Sequence, residues 1–468
     1  MGHRFDPSIL REYDIRGIVG DTLGEADAGA VGAAFGTRIV EAGGAGVVLG
    51  WDGRLTSPSL AVAMAEGLAS CGLTVLQIGV GPTPMTYFAE RHLKADASVM
   101  ITGSHNPPDY NGFKLSLAGH SFFAGAIKAL GPLAADGAFA AGKGKIEDID
   151  VRDPYTDGLV AECANAASKN IGGLAVAWDC GNGAAGEIAT ALIERLPGRH
   201  VMINGAIDGT FPAHHPDPTV PENLVQLQEL VAREACDLGI GFDGDGDRIG
   251  VVDEGGRIVW ADQLMLIYAQ DLLRELPGAT VIADVKSSQV LFDGIAAAGG
   301  NPVMWSTGHS NIKEKMIEMD APMAGEMSGH ICFADRYWGF DDALYCAVRL
   351  MRVIAASGRS FKELIDELPI VFNTPELRFE VQEERKFAIV AEVTARSKEA
   401  GLDIIDTDGV RVTNKDGWWL LRASNTQNVL VGRCESDTGD GLVRLKIQLA
   451  EQIAGSGVQV PDELKKPD

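Results

Sequence analysis

Three aspartates stand at every second position in the stretch GFDGDGDRIG: Asp243, Asp245 and Asp247. Carboxylates this close repel one another unless a cation lies between them. Oxygen-only ligands suit a hard divalent ion, Mg²⁺ or Ca²⁺. The intervening glycines let the backbone bend until the three side chains converge. An EF-hand would use Asp243, Asp245, Asp247 and Glu254, but Arg248 stands where that loop needs glycine, and the flanks read as strands. The EF-hand is rejected. Two other readings of the same letters stay open: a phosphatase with Asp243 as nucleophile, and a solvated acidic turn. Arg248 is placed to reach a phosphate beside the metal.

Three further stretches carry chemistry. In ITGSHNPPDYNGFK, Ser104 follows a strand and is a candidate nucleophile, with His105, Lys114 and the earlier Arg16 as helpers. The prolines and Asn-Gly also fit a plain turn. In AGEMSGH, Glu326, Ser328 and His330 alternate and would share one face of an extended segment. A carboxylate and a hydroxyl together suit vicinal sugar hydroxyls, which both donate and accept; a polar strand edge is the other reading. Lys286 and His309 add cationic or proton-carrying groups nearby. In RASNTQN, Arg422, Ser424, Asn425 and Thr426 would cradle an anion after the strand WWLL, or simply end that strand.

The elements that must position these loops alternate. VVLGWD, LTVLQIG and ASVMITGS read as strands, with helices SPSLAVAMAEGLASCG and GPTPMTYFAERH between them. Ser57 is the expected N-cap of the first helix, Pro58 its first helical residue and Gly72 its stop. This β-α-β-α order implies a mainly parallel sheet covered by helices. The order restarts at LAVAWDCGNG and again at TVIADV. After ERKFAIVAEVTARSKEAG the pattern changes to antiparallel strands with a Lys-Asp-Gly turn, closed by the helix DGLVRLKIQLAEQIAG. The expected fold is three related α/β domains with mainly parallel mixed sheets plus a C-terminal α+β domain around one central cleft. The boundaries fall at 1–152, 153–256, 257–370 and 371–468. Ligands of open α/β sheets bind beyond the carboxyl ends of the strands, and each domain places one dense loop there.

Composition bounds the partners. The chain has 468 residues, 46% of them hydrophobic and 22% charged, which is ordinary for a globular protein of several domains. A net charge of −25 argues against nucleic acid and anionic membrane surfaces. A small phosphorylated ligand needs only a local basic cluster. The 7 cysteines are isolated and without CxxC, so neither a disulfide framework nor a zinc site is expected. The first residues lack a signal-peptide apolar run, and no apolar stretch would span a membrane, so a cytoplasmic setting is expected.

Taken together, EYDIRG, TGSHNP with Lys114 beyond it, DGDGDR, GEMSGH and RASNT, in that order, resemble the α-D-phosphohexomutase superfamily over nearly the whole chain. DCGNG and FPAHHPDP add to the resemblance. GEMSGH with Met327 looks most like the phosphomannomutase/phosphoglucomutase branch; the phosphoglucosamine branch commonly has Gln there. Family members often continue the last motif with Glu-Pro, whereas this chain has Gln427-Asn428, which bears on loop rigidity more than on phosphate contact.

The resemblance implies a phosphoserine at Ser104, with Asp243, Asp245, Asp247 and a phosphoserine oxygen holding one Mg²⁺ per chain. Lys114 and His330 would be proton carriers, and Arg16, His105 and Arg248 would orient serine and phosphate. Lys286, His309, Glu326, Ser328, Arg422, Ser424, Asn425 and Thr426 would bind a hexose phosphate, with a hexose 1,6-bisphosphate as intermediate and activator. The last domain would move as a lid about the segment Leu368 to Glu376. The chain would act as a monomer or dimer without nucleic acid or membrane. A metal-dependent sugar-phosphate phosphatase, a phosphoglucosamine mutase and a binding protein with a structural cation are the alternatives.

Overall fold

The structure, a computed structural model, describes residues 2–164, 171–425 and 427–465. Its first three sheets repeat one four-strand core. In the first sheet the order is Tyr110–Leu117, Ala97–Ile101, Gly46–Trp51, Thr74–Val80. The second runs Ile249–Asp253, Leu238–Phe242, Ala175–Asp179, Arg199–Ile203, and the third Ile331–Phe333, Met323–Gly325, Thr280–Asp284, Asn301–Trp305. Within each set the last three strands are parallel and the first is antiparallel to its neighbour. Every residue of Ala97–Ile101 and of Leu238–Phe242 is buried, as a central strand covered on both faces requires.

This repeat fixes the site. In each domain one turn links the last parallel strand to the antiparallel one. Those turns are residues 102–109, 243–248 and 326–330, the three loops with chemistry. The fourth sheet is antiparallel throughout, ordered Phe372–Asn373, Val429–Ser436, Gly417–Ala423, Val410–Asn414, Asp403–Ile405, with Leu377–Glu380 also on Val429–Ser436. Helices Glu383–Glu399 and Gly439–Gly455 cover it, burying Ile389, Val393, Leu445 and Leu449 against Trp419 and Leu421.

One apolar core runs through the first three units, joining Val48, Trp178, Phe242, Met265 and Leu344. The fourth has a core of its own. It touches the third through a small cluster, Val285 with Trp418 and Leu420, and through Arg411, which donates at 2.8 Å to the carbonyls of Val285 and Ser287. All seven cysteines are buried and unpaired. Among the described residues no helix is long and apolar enough to cross a membrane.

Two local expectations are corrected. Ser57 is the first residue of the helix Ser57–Ser70, and Thr56 is its N-cap without a side-chain capping bond. The Ser57 hydroxyl donates instead to Asp52. The segment from Glu326 to His330 is a tight hairpin turn, closed by Glu326 N donating to His330 O at 2.8 Å. Its side chains therefore do not share one extended face. Gly329, at φ +96°, permits the reversal.

Candidate active site

The serine corner is built from its backbone outward. Ser104 is buried and adopts a left-handed φ of +50°, uncommon for a residue with a β-carbon. Its N–H donates to Thr102 Oγ1 at 2.7 Å. Two following turns, Asn106 N to Gly103 O and Tyr110 N to Pro107 O, stiffen the corner. The result aims Oγ at the second domain: it donates to Asp243 Oδ2 at 3.1 Å and lies 3.2 Å from His105 Nδ1. The two loops touch so closely that a β-carbon on Gly244 would sit 2.4 Å from the Ser104 carbonyl oxygen.

Asp243, Asp245 and Asp247 are fully buried, and their oxygens lie within 4.8 Å of one another. Gly246, at φ +72°, makes the bend. Asp243 Oδ1 accepts from the N–H groups of Asp247 and Arg248, each at 3.1 Å. Lys114 Nζ lies 2.8 Å from Asp245 Oδ2 and also bonds Asp247, while Thr83 Oγ1 donates to Asp245. Burial, then Asp245 and Asp247, push the Asp243 carboxyl well above the usual carboxylate range. Burial acts the same way on Asp245, but Lys114 overrides it and holds that carboxyl low. Burial opposes the charge on Lys114, and the aspartates more than restore it.

The triad fits a divalent cation. Asp245 Oδ1 and Asp247 Oδ1 are buried without a hydrogen-bond partner among the described residues. The donor set is all oxygen, which suits Mg²⁺. A second cluster, Asp247 with His330 and Asp341, is already engaged by Lys313 and Arg248.

Arg248 bridges to the third domain, its Nε donating to His330 Nε2 at 3.0 Å. The other ring nitrogen, Nδ1, lies 2.9 Å from Asp341 Oδ2, and Lys313 holds that carboxylate at 2.8 Å. His309 stacks on His330 with centroids 5.1 Å apart. Burial, with Lys313 beside it, keeps the His309 imidazole neutral; burial and Arg248 do the same for His105. Glu326 Oε1 accepts from Gly308 N at 2.7 Å, and burial raises its pKa. Ser328 is half-buried on the same turn.

The remaining predicted residues rim this centre. Arg16 donates to Asn106 Oδ1 at 2.8 Å and pairs with Asp14. Lys286 Nζ donates to Glu376 at 3.1 Å, and Arg422 Nε to Asp408 Oδ2 at 2.9 Å. Ser424 Oγ accepts from Gln427 N at 3.1 Å. Asn425 Nδ2 donates to Tyr13 Oη at 2.6 Å, and that hydroxyl donates to the Thr307 carbonyl at 2.8 Å. Thr426 lies outside the described residues. Tyr13 thus ties the first, third and fourth units together at the rim.

Sequence reasoning missed Tyr13, Thr83 and Asp341. Tyr13 lies inside EYDIRG and was legible as an aromatic beside two charges. Thr83 and Asp341 carry no local signal: Thr83 acts on the aspartate loop of the second domain, and Asp341 reaches His330 from a separate stretch of the third domain's own chain.

Comparison with known proteins follows this geometry. Four profiles of phosphoglucomutase/phosphomannomutase match in order: α/β/α domain I over residues 7–129, domain II over 153–256, domain III over 260–372 and the C-terminal domain over 376–452. The chain belongs to the phosphoglucomutase/phosphomannomutase family. It is 43% identical over 454 residues to the phosphomannomutase/phosphoglucomutase of Pseudomonas aeruginosa PAO1, covering 97% of each chain. It is 42% identical over 442 residues to the phosphoglucomutase of Neisseria gonorrhoeae, covering 94% of this chain and 95% of that one. A crystal structure of a phosphoglucomutase/phosphomannomutase family protein from Burkholderia thailandensis superposes with a TM-score of 0.89 at 37% identity, covering 98% of this chain and 99% of that one. The chain is therefore a phosphohexomutase, an enzyme, and the phosphatase, phosphoglucosamine-mutase and binding-protein alternatives gain no support.

In this phosphohexomutase two quoted motifs outside the catalytic loops meet each other. His214 of FPAHHPDP bonds Asp179 of DCGNG at 2.9 Å. Burial opposes protonation of His214, but Asp179 more than offsets it, so the pKa rises above 6.5. A raised histidine pKa adds stability that is full below the unfolded value and fades as pH climbs through the folded one. His214→Gln should therefore lower the melting temperature more at pH 6 than at pH 8.5. Equal losses at both pH values in thermal melts would contradict the ion pair.

Proposed function

We propose that this phosphohexomutase interconverts the 1- and 6-phosphates of both glucose and mannose, with Ser104 as phosphoryl carrier. The observation that carries the reading is the Ser104 hydroxyl 3.1 Å from Asp243, inside a buried carboxylate triad with Lys114 against it. Asp243, Asp245 and Asp247 would hold one Mg²⁺, together with a phosphoserine oxygen. When bound, the ion polarises the phosphoryl group and neutralises charge as that group moves.

The chain's own residues do the rest. The O6 hydroxyl of a sugar 1-phosphate attacks the phosphorus on Ser104. The new O6–P bond forms, the Oγ–P bond breaks, and its electron pair stays on Oγ. His330 Nε2, whose one lone pair accepts from Arg248 Nε, takes the O6 proton once Arg248 turns to the phosphate and frees that pair. Lys114, held as an ammonium by its aspartates, donates to Oγ. The bisphosphate turns over; Oγ gives its proton back to Lys114 and attacks the phosphorus at position 1, the Oγ–P bond forms as the O1–P bond breaks, and O1 takes the proton held by His330. The 6-phosphate departs and the serine is phosphorylated again.

One sugar site must accept the intermediate both ways round. Glu326 and Ser328 would take hydroxyls, and Lys286, Arg422, Ser424, Asn425 and Thr426 the phosphate away from the serine. His105, Arg16 and His309 orient the rim. The separate core of the fourth domain supports a lid pivoting on the segment Leu368 to Glu376.

Glucose and mannose phosphates differ only at C2. Comparable kcat/KM for glucose 1-phosphate and mannose 1-phosphate, each well above glucosamine 1-phosphate, is the expected result. A preference of more than about a hundredfold for one hexose would overturn the dual specificity.

A further inference from the structure

Arg54 lies outside every catalytic loop, yet its guanidinium is buried and all of its donors are engaged. Nε donates to Asp52 Oδ2 at 3.1 Å. Nη1 donates to the carbonyls of Pro107 and Tyr110, and Nη2 to those of Ser104 at 2.7 Å and Asn106 at 2.6 Å. One side chain thus holds four main-chain carbonyls of the serine corner. Asp52 holds the same corner from its entry: Oδ2 accepts from Thr102 Oγ1 at 2.9 Å and from Gly103 N at 3.1 Å. A β-carbon on Gly103 would sit 2.5 Å from the guanidinium, so the loop is wrapped directly on it.

The second domain closes this clamp. The Phe211 ring lies 5.1 Å from Arg54 Cζ, a stacking distance for a cation on an aromatic face. Gly209 packs on the Gly53–Leu55 backbone, where a β-carbon would meet the Gly53 carbonyl at 2.5 Å. Phe211 opens the FPAHHPDP motif, which the reaction chemistry leaves without a role.

We propose that Arg54, backed by Phe211, is a positioning residue that fixes Ser104 in its left-handed corner and in register with Asp243; this rests on the phosphoserine reading above. With every N–H spent on the chain, Arg54 has nothing left to offer a phosphate. It acts through the Ser104 carbonyl, which is pinned on one side by Nη2 and on the other by Gly244. Rotating that peptide carries Oγ away from Asp243. A lysine cannot reproduce the clamp, because one ammonium lacks the planar fork that reaches four acceptors. Misplacing a reacting atom by about 1 Å costs about a hundredfold in rate.

The test uses the full-length enzyme and three variants: Arg54→Lys, Phe211→Leu and Ser104→Ala. Arg54→Lys should lower kcat about a hundredfold with KM changed less than about threefold. Intact mass should show it still phosphorylated by glucose 1,6-bisphosphate, and single-turnover transfer should slow to match kcat. Phe211→Leu should give the same split, about tenfold in kcat. Should Arg54→Lys fail to fold, Phe211→Leu decides alone. Folded variants with kcat within twofold of the parent, or with raised KM at unchanged kcat, would overturn the positioning role. An active Ser104→Ala would defeat the phosphoserine reading instead; an inactive one beside a normal Arg54→Lys and Phe211→Leu would defeat only this proposal.

Discussion

Ser104→Ala should lower kcat by at least about a thousandfold while leaving the protein folded, because the hydroxyl is the only group the corner presents to the carboxylate triad. The loss should be large because the other donors at the triad are already spent: Lys114 on Asp245 and Asp247, and the Thr83 hydroxyl on Asp245. The fold should tolerate the change. Among the described residues Oγ makes two hydrogen bonds, whereas the corner is held through backbone groups and Thr102. Steady-state kinetics with glucose 1-phosphate, in a preparation free of parent enzyme, check this. Activity within tenfold of the parent would remove Ser104 from the reaction.

Asp245→Asn carries the second large effect, and its sign differs from that of its neighbour. Asp245 is held in its charged form against burial, by Lys114 and then Thr83. Neutralising it strips Lys114 of one of two partners and removes one charge from the proposed cation site. A kcat loss of about 10²–10³-fold is expected, the size seen when one preorganised charge-stabilising group is lost. Half-saturation for Mg²⁺ should shift upward as well. In EDTA the variant should melt below the parent, since breaking a buried pair costs up to a few kcal/mol. Asp243→Asn should not, because burial and its neighbours already disfavour the Asp243 charge. Unchanged Mg²⁺ titration for Asp245→Asn would take that residue out of the cation site.

Much of this centre is legible in the amino-acid sequence. The aspartate loop announced itself because like charges at alternate positions need an explanation in any fold. The three α/β units were legible from alternating apolar runs, although their common strand order was not. Nothing in the letters says that the turns at 102–109, 243–248 and 326–330 occupy the same place in each sheet. Long-range partners were also hidden. Arg54 reads as one more turn residue in WDGRLTS, and only folding brings four carbonyls of a loop some fifty positions away onto its guanidinium. The alternation of Glu326, Ser328 and His330 misled for a physical reason: a period of two marks a shared face only in a strand, and Gly329 turns that segment into a hairpin.

The central claim is that phosphate resides on Ser104 and passes to the sugar. Intact mass spectrometry tests it most directly: the enzyme is charged with glucose 1,6-bisphosphate, freed of ligand, mixed with excess mannose 1-phosphate and Mg²⁺, and quenched within one turnover. Expected is a protein one phosphoryl group heavier before mixing, lighter by that group in the quenched sample, with bisphosphate formed in equal amount and no mass change at any stage in Ser104→Ala. A protein that turns substrate over without ever carrying the extra phosphoryl group, or carries it equally in Ser104→Ala, would contradict it.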